Sequence, residues 1–103
     1  MHKLSGLYPE RSVYLDRCYL DPAPSQRAYN HSPDGFNWGY CGSGPAQLAL
    51  AIVLKLTGKS DGYQKFKEDV IAKIPQGKSF EIEFDYPDID EAVDKMFTSE
   101  GRQ

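Results

Sequence analysis

The run Gly42-Ser43-Gly44-Pro45 followed by AQLALAIVLKLTG leaves the chain fewer structural alternatives than any other stretch. Pro45 suits the first turn of a helix, where its missing N–H breaks no bond, and Ser43 or Gly44 can serve as the N-cap. Leu48, Ala49, Ile52, Val53 and Leu56 then form one apolar stripe, while Leu50, Ala51 and Leu54 cover most of the other side. Only Gln47 and Lys55 interrupt it. A helix apolar nearly all round has to be buried, so the rest of the chain must wrap it, and Gly58 is its natural stop. The run is too short to span a bilayer. A helix over about residues 45–57 is therefore expected to be the spine of the core.

With 103 residues, 40% hydrophobic and 13% aromatic, the chain has material for one soluble domain over 1–103, with an ordered core of about 8–97 and fraying ends. SVYLDRCYL reads as a strand followed by a turn over Asp21 to Ser25. Ser32-Pro33-Asp34-Gly35 reads as a hairpin-like turn between extended pieces, after which Phe36, Trp38 and Tyr40 share one face of a second strand. A helix from about Gly62 to Ile74 turns Tyr63, Phe66, Val70, Ile71 and Ile74 inward. FEIEFDY alternates as a half-buried strand with a wet acidic face, and Asp88 with Glu91 opens a third helix whose Ile89, Val93, Met96 and Phe97 face inward. The expected class is α+β: a small, mostly antiparallel sheet packed on a buried central helix and two further helices.

The net charge of −3 lacks the basic footprint of a nucleic-acid binder, and direct nucleic-acid binding is not expected. Its acid excess lies in the second half, where residues 51–103 carry eleven acids against eight bases. Cys18 and Cys41 form neither a zinc pattern nor a disulfide scaffold, and MHKLSGLYPE has no apolar leader, so a cytoplasmic protein without a membrane anchor is expected. Asp85, Asp88, Asp90 and Asp94 lack calcium-loop spacing and read as a solvated face with a cap; neither a metal nor another cofactor is expected.

A strand that turns through Gly-Ser-Gly into a helix presents backbone N–H groups at the positive end of the helix dipole, and the Ser43 hydroxyl adds a donor. No Lys-Ser/Thr follows, which excludes a P-loop, and Gln47 stands where the dinucleotide fingerprint requires a third glycine. The competing reading is packing, in which the glycines let the buried helix pass close to the preceding segment. His31 with Cys41 could form a base and thiol pair, against a turn histidine and a small buried thiol; the latter is preferred and no catalytic residue is assigned. Trp38 and Tyr40 suit either stacking on a ligand ring or burial in the core.

NHSPDGFNWGYCGSGPAQLALAIVL and the later YQKFKEDVIAKIP resemble a family of small proteins of bacteria, archaea and their viruses, over roughly residues 30–75. Its signature is a Gly-Tyr-x-Gly-Ser-Gly-Pro-Ala-Gln-Leu-Ala-Leu-Ala run after His-Ser-Pro-x-Gly-Phe-x-Trp; Cys41 stands at a position where a glycine is expected. The resemblance implies a one-domain soluble protein, often carried by phages or mobile elements, and no established activity. It favours a shared site at His31, Ser32, Trp38, Tyr40, Gly42, Ser43, Gly44 and Gln47, with an antiparallel return bringing His31 and Ser32 near Tyr40 to Ser43. The leading expectation is non-enzymatic binding of a small anionic, nucleotide-like ligand, as in a viral sponge for a host defence signal, with a homo-oligomer completing the wall. The alternatives are a protein inhibitor of a host nucleic-acid enzyme, docking through Glu81, Glu83, Asp85, Asp88, Asp90, Glu91 and Asp94, and a small hydrolase using His31.

Overall fold

The computed structural model describes residues 1–85. Along them run β1 (His2–Leu7), β2 (Ser12–Leu15), β3 (Cys18–Tyr19), α1 (Ala23–Ala28), α2 (Ser43–Thr57), α3 (Tyr63–Asp69), a 3-10 turn (Ile71–Lys73) and β4 (Phe80–Phe84). The strands form one antiparallel sheet in the order β3-β2-β1-β4. The class is α+β, as the sequence pattern implied. The helix expected from Asp88, with the inward set Ile89, Val93, Met96 and Phe97, lies outside the described residues.

Residues 2–7, expected to fray, instead form an interior strand. HKLSGL alternates with period 2, Leu4 and Gly6 inward and Lys3 and Ser5 outward, but carries only one large inward side chain. Pairing on both flanks supplies what the local pattern lacks, with Leu4 opposite Leu15 on one side and Ile82 on the other. SVYLDRCYL, expected as one strand, folds into two. Asp16 and Arg17 both have positive φ, 52° and 70°, the pattern of a two-residue type I′ turn, and Leu15 pairs with Cys18 across it. The Asp16 side chain holds the turn to β1: one oxygen accepts from the Lys3 N–H at 2.9 Å and the other from His2 Nδ1 at 2.7 Å.

The segment expected to turn over Asp21 to Ser25 enters α1, where Pro22 and Pro24 occupy positions whose missing N–H groups cost the helix nothing. No hairpin follows. The Ser32–Gly35 turn forms, closed by the Gly35 N–H on the Ser32 carbonyl, but residues 36–42 make no strand. Phe36 and Trp38 are buried because this segment is pressed onto the core as a loop, which reproduces strand-like alternation without ladder bonds. Gly39 accounts for the break: its φ is +88°, its N–H donates to the Ile71 carbonyl, and a Cβ there would lie 2.5 Å from Gln76 Cα.

α2 begins two residues before the expected start near Pro45, with Gly42 as N-cap in place of Ser43 or Gly44, and closes on Gly58 at φ +79°. Gly44 through Val53 are all buried. α3 is shorter than expected and passes into the 3-10 turn, yet Phe66, Ile71 and Ile74 reach the core as their spacing implied, with Tyr63 and Val70 packed at its margin. Leu4, Val13 and Leu15 from the sheet join Leu48, Ile52 and Val53 of α2 and Phe66 of α3 in one apolar cluster. Phe66 meets Phe84 edge-on at 5.2 Å, which ties α3 to β4.

Candidate functional site

The corner that opens α2 is set by three local contacts. Gly42 is extended (φ −156°), and its carbonyl accepts the first helical bond from the Ala46 N–H at 3.0 Å. Gly44 lies against the preceding loop, where a Cβ would fall 2.6 Å from Asn37 Cβ, and a Cβ on Gly42 would strike the Tyr40 ring. These two glycines thus satisfy a packing demand. The same close approach leaves Ser43 exposed at the helix end and Tyr40 half-buried beside it. No side chain caps the helix and no acid occupies its first turn, so the helix itself offers no anionic group to the positive end of its dipole. Cys41 is exposed too, which corrects the expectation of a small buried thiol.

Gln47 is fully buried and makes four hydrogen bonds. Its Oε1 accepts from the N–H groups of His31 and Ser32 at 2.7 and 2.8 Å, and its Nε2 donates to Ser25 Oγ and the Tyr29 carbonyl at 2.9 and 3.1 Å. One amide therefore fastens the segment from α1 to the Ser32 turn onto α2. This brings His31 and Ser32 beside the helix one turn beyond Ser43, by a side-chain tie and not by the strand return expected of them. Every hydrogen-bonding atom of Gln47 is engaged within the fold, so it positions the site and offers nothing to a ligand.

The His31 ring is directed at α3. Its Nε2 lies 2.7 Å from the Tyr63 hydroxyl, which also accepts from Gln64 Nε2 at 3.1 Å, and the ring stacks on Tyr29 at 4.3 Å and 7°. Sequence reasoning missed this cluster because Tyr63 reads as an inward helix residue and Tyr29 belongs to no periodic pattern. Trp38 has no exposed surface: its Nε1 donates to the Lys78 carbonyl at 2.9 Å and its ring meets Phe80 edge-on at 4.8 Å. A buried ring presents no face for stacking, and Tyr40 is the aromatic neighbour of the corner.

On the proposed acidic face, Glu81 and Glu83 are exposed at the sheet edge, but Lys3 pairs with Glu81 at 3.1 Å and stands opposite Glu83 in the ladder. The row is thus partly neutralised by its neighbouring strand. Asp85 ends the described residues, and Asp88, Asp90, Glu91 and Asp94 lie outside them. No three His, Cys, Asp or Glu side chains converge among the described residues, and no helix there is long and apolar enough to cross a membrane.

A four-stranded antiparallel sheet carrying an apolar helix with an open N-terminus defines a small α+β domain. Residues 10–95 match the model of DUF6166, a family of unknown function, and the chain belongs to that family. No curated protein and no solved structure matches it.

Proposed function

We propose that the chain binds a small anionic, nucleotide-like ligand at the N-terminal corner of α2. The observation that carries this reading is a 15-residue helix whose first turn has neither a capping side chain nor an acid, with Ser43 exposed at its tip. The Ser43 hydroxyl and the N–H groups at Gly42, Ser43 and Gly44 supply donors for a phosphate or carboxylate, with the helix dipole adding to their field. The Tyr40 ring beside Gly42 gives an attached base or ring an apolar partner. Ser32, held by Gln47, borders the same end of α2. In this reading Trp38 and Gln47 brace the site from within and do not touch the ligand.

Among the described residues no nucleophile, base and orienting group stand together at the corner, and the reading proposed is one of binding. Calorimetry against inorganic phosphate, mononucleotides and cyclic nucleotides tests it. Heat of binding from at least one nucleotide, lost in Ser43→Ala, is expected; silence across the panel would remove the proposal.

A further inference from the structure

We propose that the cavity enclosed by the end of β3, α1 and the second half of α2 is a binding site for an apolar α-amino acid. It has a volume of about 320 Å³, within the range that small ligands occupy. Leu20 and Ala51, both almost fully buried, line it together with Pro24 and Leu54. Tyr19 adds a ring that is 59% exposed yet held edge-on against Tyr14 at 5.7 Å. Ala51 matters to the cavity's existence: it is the small residue between Leu50 and Ile52 of α2, and a longer side chain there would occupy the space.

The charged groups of this lining are Asp21 and Lys55. Asp21 Oδ1 accepts from the Ala23 N–H at 3.0 Å, which orients the carboxylate and leaves its second oxygen uncommitted among the described residues. Lys55 has no described carboxylate within ion-pair reach, Asp21 included. A plain structural role for Lys55 exists, since a cation in the last turn of a helix complements the dipole. That role explains neither the cavity nor the carboxylate that shares it. An apolar pocket with one fixed negative and one positive group is complementary to a molecule carrying both charges on an apolar body: ammonium toward Asp21, carboxylate toward Lys55, side chain against Leu20, Ala51 and Leu54. Asp21 and Lys55 are both exposed at the rim of the cavity, so a ligand with a single charge would gain one ion contact there instead of two. Ala51 lies eight residues beyond Ser43, roughly 12 Å along the helix axis at 1.5 Å per residue, so this site is separate from the α2 corner.

The test is an amide-resolved NMR titration of the full chain with L-phenylalanine and L-leucine, beside phenylacetate and phenethylamine, which each carry one of the two charges. Saturable shifts at Leu20, Ala51 and Lys55 are expected with an amino acid, and binding weaker by about tenfold or more with either single-charge analogue. Asp21→Asn keeps an acceptor for the Ala23 N–H while removing the charge; it should weaken amino-acid binding by a similar factor without weakening phenylacetate. Ala51→Leu, a good helix former that fills the cavity, should remain folded and lose binding. No saturable shift with either amino acid at millimolar concentration, equal binding of the analogues, or full binding by folded Ala51→Leu would each overturn the proposal.

Discussion

Two side chains tie distant segments of the chain together, the buried Gln47 of α2 and the exposed Asp16 of the β2–β3 turn, and each gives a measurable consequence. Gln47 holds four partners in a place with no solvent. Gln47→Ala strands the Ser32 N–H and leaves the His31 N–H and the Tyr29 carbonyl only their 3.1 Å bond to each other, so a loss of about 2 kcal/mol is expected and is read by chemical denaturation. At the β2–β3 turn, hydrogen bonds from His2 and then from the Lys3 N–H hold the Asp16 carboxyl below the usual aspartate value of 3.8. A depressed carboxylate pKa favours the folded state above the ordinary value, and the contribution is lost as pH falls through the folded one. A carbon-detected NMR titration should therefore place the Asp16 midpoint below 3.8, and His2→Ala should move it upward. Unchanged titration in His2→Ala would show that the pair does not persist in solution.

Elements differ in how openly their residues announce them. α2 is legible because Pro45, the apolar run and Gly58 mark start, face and stop independently, and β4 because Phe80, Ile82 and Phe84 alternate strictly with acids. β1 is not, since its strand character rests on Leu15 and Ile82, which are distant in sequence. The β2–β3 hairpin hides behind Asp16-Arg17, which lacks the glycine that usually signals a type I′ turn. That gap makes a prediction. Arg17 sits at φ 70°, so Arg17→Gly removes left-handed strain and should raise stability by about 0.5–1 kcal/mol in thermal or denaturant unfolding; a decrease would contradict the assigned turn. In α2 the reverse holds for Gly44, where any side chain meets Asn37, and Gly44→Val should lower the melting temperature clearly. Of the residues at the proposed site, Gly42 and Ser43 stand at the helix start that Pro45 and the apolar run mark in the sequence, whereas the strand expected to lead into it through Tyr40 is a loop. The bracing role of Gln47 is not legible in the sequence, because its partners lie 15 to 22 residues away.

At the scale of the molecule, one apolar helix organises both ends of the account. Its buried middle joins the sheet to α3, its last turns border the cavity at Lys55, and its first turn leaves Ser43 facing outward with no capping group. Packing explains Gly42 and Gly44, and it does not explain an exposed serine on an uncapped helix end. The measurement that separates the two is an amide-resolved titration of the wild type and Ser43→Ala with inorganic phosphate and with a nucleotide panel. The account predicts saturable shifts confined to Gly42, Ser43, Gly44 and their neighbours, with binding weakened about tenfold in a Ser43→Ala protein whose other amides are unmoved. Absence of any saturable shift at these amides, or identical binding by Ser43→Ala, would contradict it and leave the corner as a packing turn.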